Sequence, residues 1–227
     1  MSLPPGQRVI GYFPRFGVHS SEPPPPISEP ALIRVEGAVA RRLQVPVSRL
    51  SELKRLAIIA DFHCVAGWTA QDLHWGGVSF RTFYESVIVP EAKPEPGVSH
   101  ILFRGADGYR SSLTLDDAFE NDVLLADQLG ETALNGKHGA SVRLVSPKQY
   151  GYKSTKHLCC IELHTREQAD GHEKAVPNSL LKLLGPHPRA RVSEEERHRY
   201  LPAWALRSIY WKIYRLLAWA ARRRSRS

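Results

Sequence analysis

Leu56-Ala57-Ile58-Ile59-Ala60-Asp61-Phe62-His63-Cys64-Val65-Ala66-Gly67-Trp68 is the stretch whose reading decides the fold. Its first five residues form an apolar run of the length expected of a short buried strand. Gly67 then signals a turn, which places the Cys64 thiol where a rigid element gives way to a loop, a common location for a site. Taken alone, one Cys after an apolar run is more often a small buried hydrophobe than a ligand. If Asp61 to Cys64 is extended, His63 and Cys64 point to opposite faces, so His63 is read as packing. Trp68 and Trp75 fit a wall of a substrate funnel and a filling of the core equally well.

Outward from this stretch the pattern is short and mixed. On the N-terminal side, residues 1–30 are rich in Pro and Gly, and Pro23 to Pro26 favour polyproline II, so this part reads as an ordered strap. Leu32 to Val39 alternates like a strand that breaks at Gly37, and Ser48 to Leu56 reads as a short helix capped by Ser48 or Ser51. On the C-terminal side, Phe80 to Val89 has helical spacing. His100 to Phe103 is a strand ending at Gly105, and Thr114 to Ala118 opens a helix. Val123 to Ala126 leads to a hairpin loop over 130–135. Strands follow at Val142 to Val145 and Lys156 to Leu163. Short strands and helices with Gly- and Pro-rich connections indicate an α+β domain over residues 31–190, not regular βαβ alternation.

Composition narrows the function classes. The chain has 227 residues, 42% of them hydrophobic and 24% charged, which suits one soluble domain, and no window is long and apolar enough for a membrane-spanning helix. The formal net charge is +8. Seven cations and no acid lie between Pro202 and Ser227, so the body is near neutral and offers no basic stripe for nucleic acid. Three cysteines, two of them adjacent, give no disulfide framework and no paired C-x-x-C spacing. No charged and apolar leader is seen at the start, so a cytoplasmic location is expected.

Asp61-Phe62-His63-Cys64-Val65-Ala66-Gly67-Trp68-Thr69, followed by Asp72 and Trp75-Gly76-Gly77-Val78, resembles the central motif of the sulfite oxidase superfamily of molybdopterin-dependent oxidoreductases. The likeness continues in order through Gly108-Tyr109, Ser111 to Leu113, Asp122 to Ala126, His138-Gly139, Val142 to Val145 and Tyr150 to Lys156, and covers roughly residues 10–165. It implies a sulfite oxidase-type fold, a molybdenum–molybdopterin cofactor and oxygen atom transfer, with Cys64 as the one protein ligand to the metal. A soft thiolate suits a metal whose other sulfur donors come from the cofactor. The polar, anionic pterin and phosphate call for cations, neutral donors and close backbone approach. The resemblance assigns that role to Gly105, His138, Arg143, Ser154, Thr155 and Lys156. It also aligns Phe16 and Gly17 with a strap beside the pterin and places Arg15 toward the substrate.

The chain also departs from the pattern. Thr69 stands where animal and plant sulfite oxidases carry an Arg for the sulfite dianion, and no sequence remains for their C-terminal immunoglobulin-like domain. A small sulfur- or nitrogen-containing substrate is therefore expected, without sulfite being singled out. With no C-x-x-C-H and no G-x-G-x-x-G, electrons must be exchanged with a separate partner, such as a membrane-associated haem protein. Residues 191–227 read as a basic amphipathic helix and tail, suited either to packing on its own domain or to lying peripherally on an anionic membrane face. A cofactor carrier without turnover and a peripheral membrane subunit are the competing readings.

Overall fold

The computed structural model describes residues 3–16, 22–169, 185–205, 207–209 and 211–212. In chain order the strands are β1 (Arg8–Val9), β2 (Leu32–Gly37), β3 (Leu43–Pro46), β4 (Arg55–His63), β5 (Trp68–Ser79), β6 (His100–Gly105), β7 (Arg110–Thr114), β8 (Leu124–Leu129), β9 (Thr132–Ala133), β10 (Arg143–Val145) and β11 (Leu158–His164). Two short α-helices inside the domain, α1 (Phe80–Phe83) and α2 (Leu115–Ala118), give the described residues an α+β architecture.

The β4–β5 hairpin organises the first sheet. β4 runs antiparallel along β5, β1 pairs in parallel with the start of β5, and β8 pairs with its end. β10 and β9 extend this sheet through β8. The second sheet has the order β3-β2-β11-β6-β7. Alternation along the strands sends Ile33 and Val35 of β2, Ile101 and Phe103 of β6, and Ile161 and Leu163 of β11 into one core with Val78, Leu125 and Leu144 of the first sheet. Phe80, Phe83, Val87 and Ile88, from α1 and the π-helical turns that continue it to Ala92, close that core. The Ser79 hydroxyl accepts from the Thr82 amide and that of Thr114 from the Asp117 amide, so each helix starts on a side-chain cap.

Several expectations need correction. β4 is longer than the run Leu56 to Ala60 and buried on one face only, with Leu56, Ile58, Ala60 and Phe62 packed inward and Ile59 65% exposed. The helix expected from Ser48 is a 3-10 turn over Val47–Glu52 with no side-chain cap; Ser51 instead donates to the Ser48 carbonyl. β5, the longest strand, has no counterpart in the sequence reading, because Asp72, Gly76 and Gly77 interrupt its pattern. Lys156 precedes β11, which begins at Leu158.

Residues 185–192 fold back onto the domain. The Tyr150 amide donates to the Ala190 carbonyl and the Val192 amide to that of Lys148, while the Arg189 guanidinium makes a two-pronged contact with the buried Asp117 carboxylate. Residues 203–205, 207–209 and 211–212 are helical. Trp211 lies 4.3 Å from the Arg8 guanidinium, so the described start of the tail packs on its own domain. The remainder of the expected basic helix, residues 213–227, lies outside the described residues. Among the described residues no helix is long and apolar enough to cross a membrane.

Candidate functional site

Cys64 follows the last residue of β4 and opens the tight turn into β5. Its amide donates to the Trp68 carbonyl at 2.8 Å, and its carbonyl accepts from the Gly67 amide at 2.9 Å. A second donor to that carbonyl is the Gln7 side-chain amide at 3.2 Å, supplied by the N-terminal strap. Gln7 in turn accepts from the Thr69 hydroxyl, which is paired with His63 Nδ1 at 2.9 Å. His63 is thus a buried polar support of the hairpin. Trp68 and Trp75 are each 1% exposed, so both fill the core and neither walls an open funnel.

Lys156 acts on the thiol, and Arg143 stands next to Lys156. Arg143, at the start of β10, is wholly buried and donates to the carbonyls of Leu144, His138 and Ser154 at 3.0–3.3 Å. Its guanidinium also lies 5.1 Å from the Trp75 ring and 5.5 Å from that of Phe62. Lys156 donates from Nζ to the Phe16 carbonyl at 3.1 Å, tying the strap to the segment before β11. Among the described residues no carboxylate pairs with Arg143 or Lys156 at ion-pair distance. The His138 ring stacks on Phe13 at 4.8 Å, and its Nδ1 is buried without a hydrogen-bond partner.

Two glycines permit this closeness. A Cβ on Gly105 would stand 2.4 Å from the Lys156 carbonyl oxygen. Gly139, at φ +107°, lays the 135–141 loop directly on the side chains of Arg143 and Lys156, which a Cβ would approach to 3.2 and 3.0 Å. The Ser154 hydroxyl accepts from the Ser146 amide at 3.1 Å, and that of Thr155 is paired with Ser111 at 2.7 Å, so both serve the local framework. Phe16 stacks edge-on against Trp68 at 5.6 Å. Gly17 lies outside the described residues.

The electrostatics follow from burial. Cys64 is 7% exposed, and burial pushes its thiol up to about 12, against a downward pull from Arg197 and Lys156. Burial first, then the charges of Arg143 and Arg15, bring Lys156 down to about 7. Burial with the neighbouring cations lowers His138 to about 4, so its imidazole is neutral at neutral pH. Burial brings Arg143 down to about 9, which leaves it charged there. Excess positive charge in a poorly solvated place is unfavourable until an anion arrives, and it lies next to a thiol able to ligate a soft metal.

Cys64, Arg15, Phe16, His138, Arg143 and Lys156 are therefore brought together. Gln7 and Arg197 were not anticipated. Gln7 lies in a Pro-rich arm, and Arg197 sits in Glu194-Glu195-Glu196-Arg197-His198-Arg199, a charge run with the look of a solvated segment. Neither carries a sequence signal, because their burial depends on two chain ends meeting at one turn. Elsewhere, Glu36, Cys160 and Glu162 offer donor atoms within 4.8 Å of one another. The carboxylates already pair with Arg34, Arg104 and His164, which makes this cluster an ion-pair network on the outer face of the second sheet.

Comparison with known proteins agrees with the geometry. Residues 24–172 match the family described as the oxidoreductase molybdopterin binding domain. A curated relative, the uncharacterized oxidoreductase YuiH of Bacillus subtilis (strain 168), is 30% identical over 172 residues, which cover 74% of this chain and 82% of the relative. Among solved structures, the sulfane dehydrogenase SoxCD from Paracoccus pantotrophus shares the fold, with a TM-score of 0.54 and 22% identity over 62% of this chain; the chain spans 40% of the length of that one. The chain belongs to the oxidoreductase molybdopterin-binding family, and its cofactor is molybdenum carried by molybdopterin.

Proposed function

We propose that the protein is an oxidoreductase that moves an oxygen atom to or from a small sulfur- or nitrogen-containing substrate and exchanges electrons with a separate redox protein. The observation that carries this reading is the buried Cys64 thiol within the field of Lys156, which is itself next to the buried Arg143, two cations with no carboxylate at ion-pair distance among the described residues. The residues fit the cofactor. Its anionic groups find these cations, and a neutral donor or acceptor is waiting in the unpartnered Nδ1 of His138.

When bound, the cofactor supplies two-electron oxygen chemistry at molybdenum, which no side chain provides. Cys64 would offer the one protein sulfur to the metal, as a thiolate. Arg143 fixes the carbonyls of His138, Leu144 and Ser154 and presents its charge from a rigid base. Lys156 and His138 would hold the anionic and polar edges of the cofactor, and Gly105, Ser154 and Thr155 set the backbone on which Lys156 stands. Phe16, on the strap that Lys156 holds, would lie beside the cofactor, and Arg15 on the same strap would face the substrate.

Cys64→Ser tests this reading directly. Turnover with any oxygen-atom donor or acceptor that the wild type uses should vanish while much of the pterin remains bound, since Arg143, Lys156 and His138 are untouched. Full activity in that variant would sink the catalytic reading and leave a carrier.

A further inference from the structure

The turn that carries Cys64 is gripped from outside by both ends of the chain. Arg197 is 1% exposed and comes from beyond the stretch matched by the family. Its guanidinium donates to the Val65 carbonyl, in the turn itself, and at 3.2 Å to the Gly6 carbonyl in the N-terminal strap. Glu195 stands 3.6 Å from its Nε and also holds Arg207, while the Tyr150 ring packs 5.1 Å from its centre. From the other side, Gln7 donates to the Cys64 carbonyl and the Arg8 amide donates to the Gly67 carbonyl at 3.0 Å. Three of the four turn carbonyls thus accept from residues outside the turn.

The fit leaves no slack. Gly6 and Gly67 both have positive φ, and a Cβ on Gly6 would lie 2.8 Å from the Arg197 guanidinium, one on Gly67 3.1 Å from the Gly6 carbonyl. A buried guanidinium whose fork bridges the turn carbonyl of Val65 and the strap carbonyls of Pro5 and Gly6 fixes their relative direction, which a point-charge ammonium cannot do. The direction of Val65 sets that of the preceding residue through a turn already closed by two backbone hydrogen bonds.

We infer that Arg197 is a positioning residue for Cys64: the C-terminal segment acts as a clamp that aims the ligand thiol by holding the Val65 carbonyl against the N-terminal strap. The inference rests on the assignment of Cys64 as the metal ligand. It makes the segment beyond the family domain part of the site, and it requires no contact between Arg197 and substrate.

The test compares wild type, Arg197→Gln and Arg197→Lys, each as full-length chain. On molybdenum-free protein from cells grown without molybdate, amide hydrogen exchange is read at Cys64 and Gly67, the donors that close the turn. Arg197→Gln should speed their exchange on the order of tenfold while the β8 amides keep their protection, and Arg197→Lys should recover part of the loss. On loaded protein, Arg197→Gln should shift the Mo(V) electron paramagnetic resonance spectrum, which reports the sulfur's orientation at the metal, at near-normal molybdenum content. Turn exchange equal to wild type, or exchange rising equally in β8, would overturn the inference. Should Arg197→Gln not accumulate as folded protein, Arg197→Lys, which keeps the buried charge, is judged by the same two criteria. Wild type that takes up no molybdenum even from cells supplied with molybdate, while Arg197→Gln still shows the turn-specific exchange, would count against Cys64 as ligand and leave the clamp intact. Normal molybdenum loading of wild type with no turn-specific exchange in Arg197→Gln would do the reverse.

Discussion

Lys156 Nζ donates to the carbonyl oxygen of Phe16 at 3.1 Å, so one ammonium both fastens the strap and adds to the positive charge beside Cys64. Because burial brings this group down to about 7, its charge is lost within the ordinary working range of pH. A bound anion favours the ammonium, so cofactor binding takes up a proton above pH 7 and affinity falls as pH rises through that value. Cofactor retention measured by gel filtration at pH 6 and pH 9 should therefore differ in wild type. Lys156→Met should hold the cofactor weakly at both values and Lys156→Arg firmly at both. A wild-type retention independent of pH would count against Lys156 as an anion contact.

The same group shapes the stability of the cofactor-free chain. Its folded value lies below its unfolded one, so the charged form costs free energy at low pH, and its contribution to stability rises between about pH 7 and 10.5, where the unfolded chain binds more protons. Urea midpoints of wild type and Lys156→Met should be furthest apart at pH 6, with the variant the more stable, and should converge toward pH 10. A gap that widens with pH would reverse the sign and exclude this account.

Arg143 donates to three carbonyls, those of His138, Leu144 and Ser154. Arg143→Met keeps the volume and removes a costly buried charge, yet leaves those oxygens unpaired, and a net loss of about 2–4 kcal/mol is expected in chemical denaturation. Arg143→Lys should lose the fork and with it the order of the 138–141 loop, which is seen as faster amide exchange there. Unchanged stability in the Met variant would mean that the carbonyls find water.

Gly105→Ala tests the backbone beneath Lys156. Its Cβ would meet the Lys156 carbonyl oxygen at 2.4 Å, a contact only a shift of β6 or residue 156 can relieve. We expect roughly 1–3 kcal/mol of destabilisation and weaker cofactor retention together. Loss of stability with normal retention would separate Gly105 from the site.

Much of this was legible in the sequence for a physical reason. Alternating runs such as Leu32 to Gly37 and His100 to Gly105 carry their own period, and the adjacent residues Asp61 to Trp68 keep ligand, turn and strand in one local pattern. β5 was not legible, because Asp72 at φ +54° and the Gly76-Gly77 pair break the alternation that its three pairing strands then restore. Arg197 and Gln7 were not legible either. Each is polar within a polar or Pro-rich stretch, and their burial arises only when residues about 130 and 57 positions away in the chain meet at the Cys64 turn.

The central claim is that Cys64 binds the molybdenum of the cofactor, and the most direct test is molybdenum per chain by elemental mass spectrometry. The protein should be made in a host supplied with molybdate and never exposed to denaturant. We expect close to one metal per chain in wild type, falling steeply in Cys64→Ala while much of the bound pterin stays. Equal molybdenum in wild type and Cys64→Ala, or none in either from a host that loads other molybdenum enzymes, would contradict it.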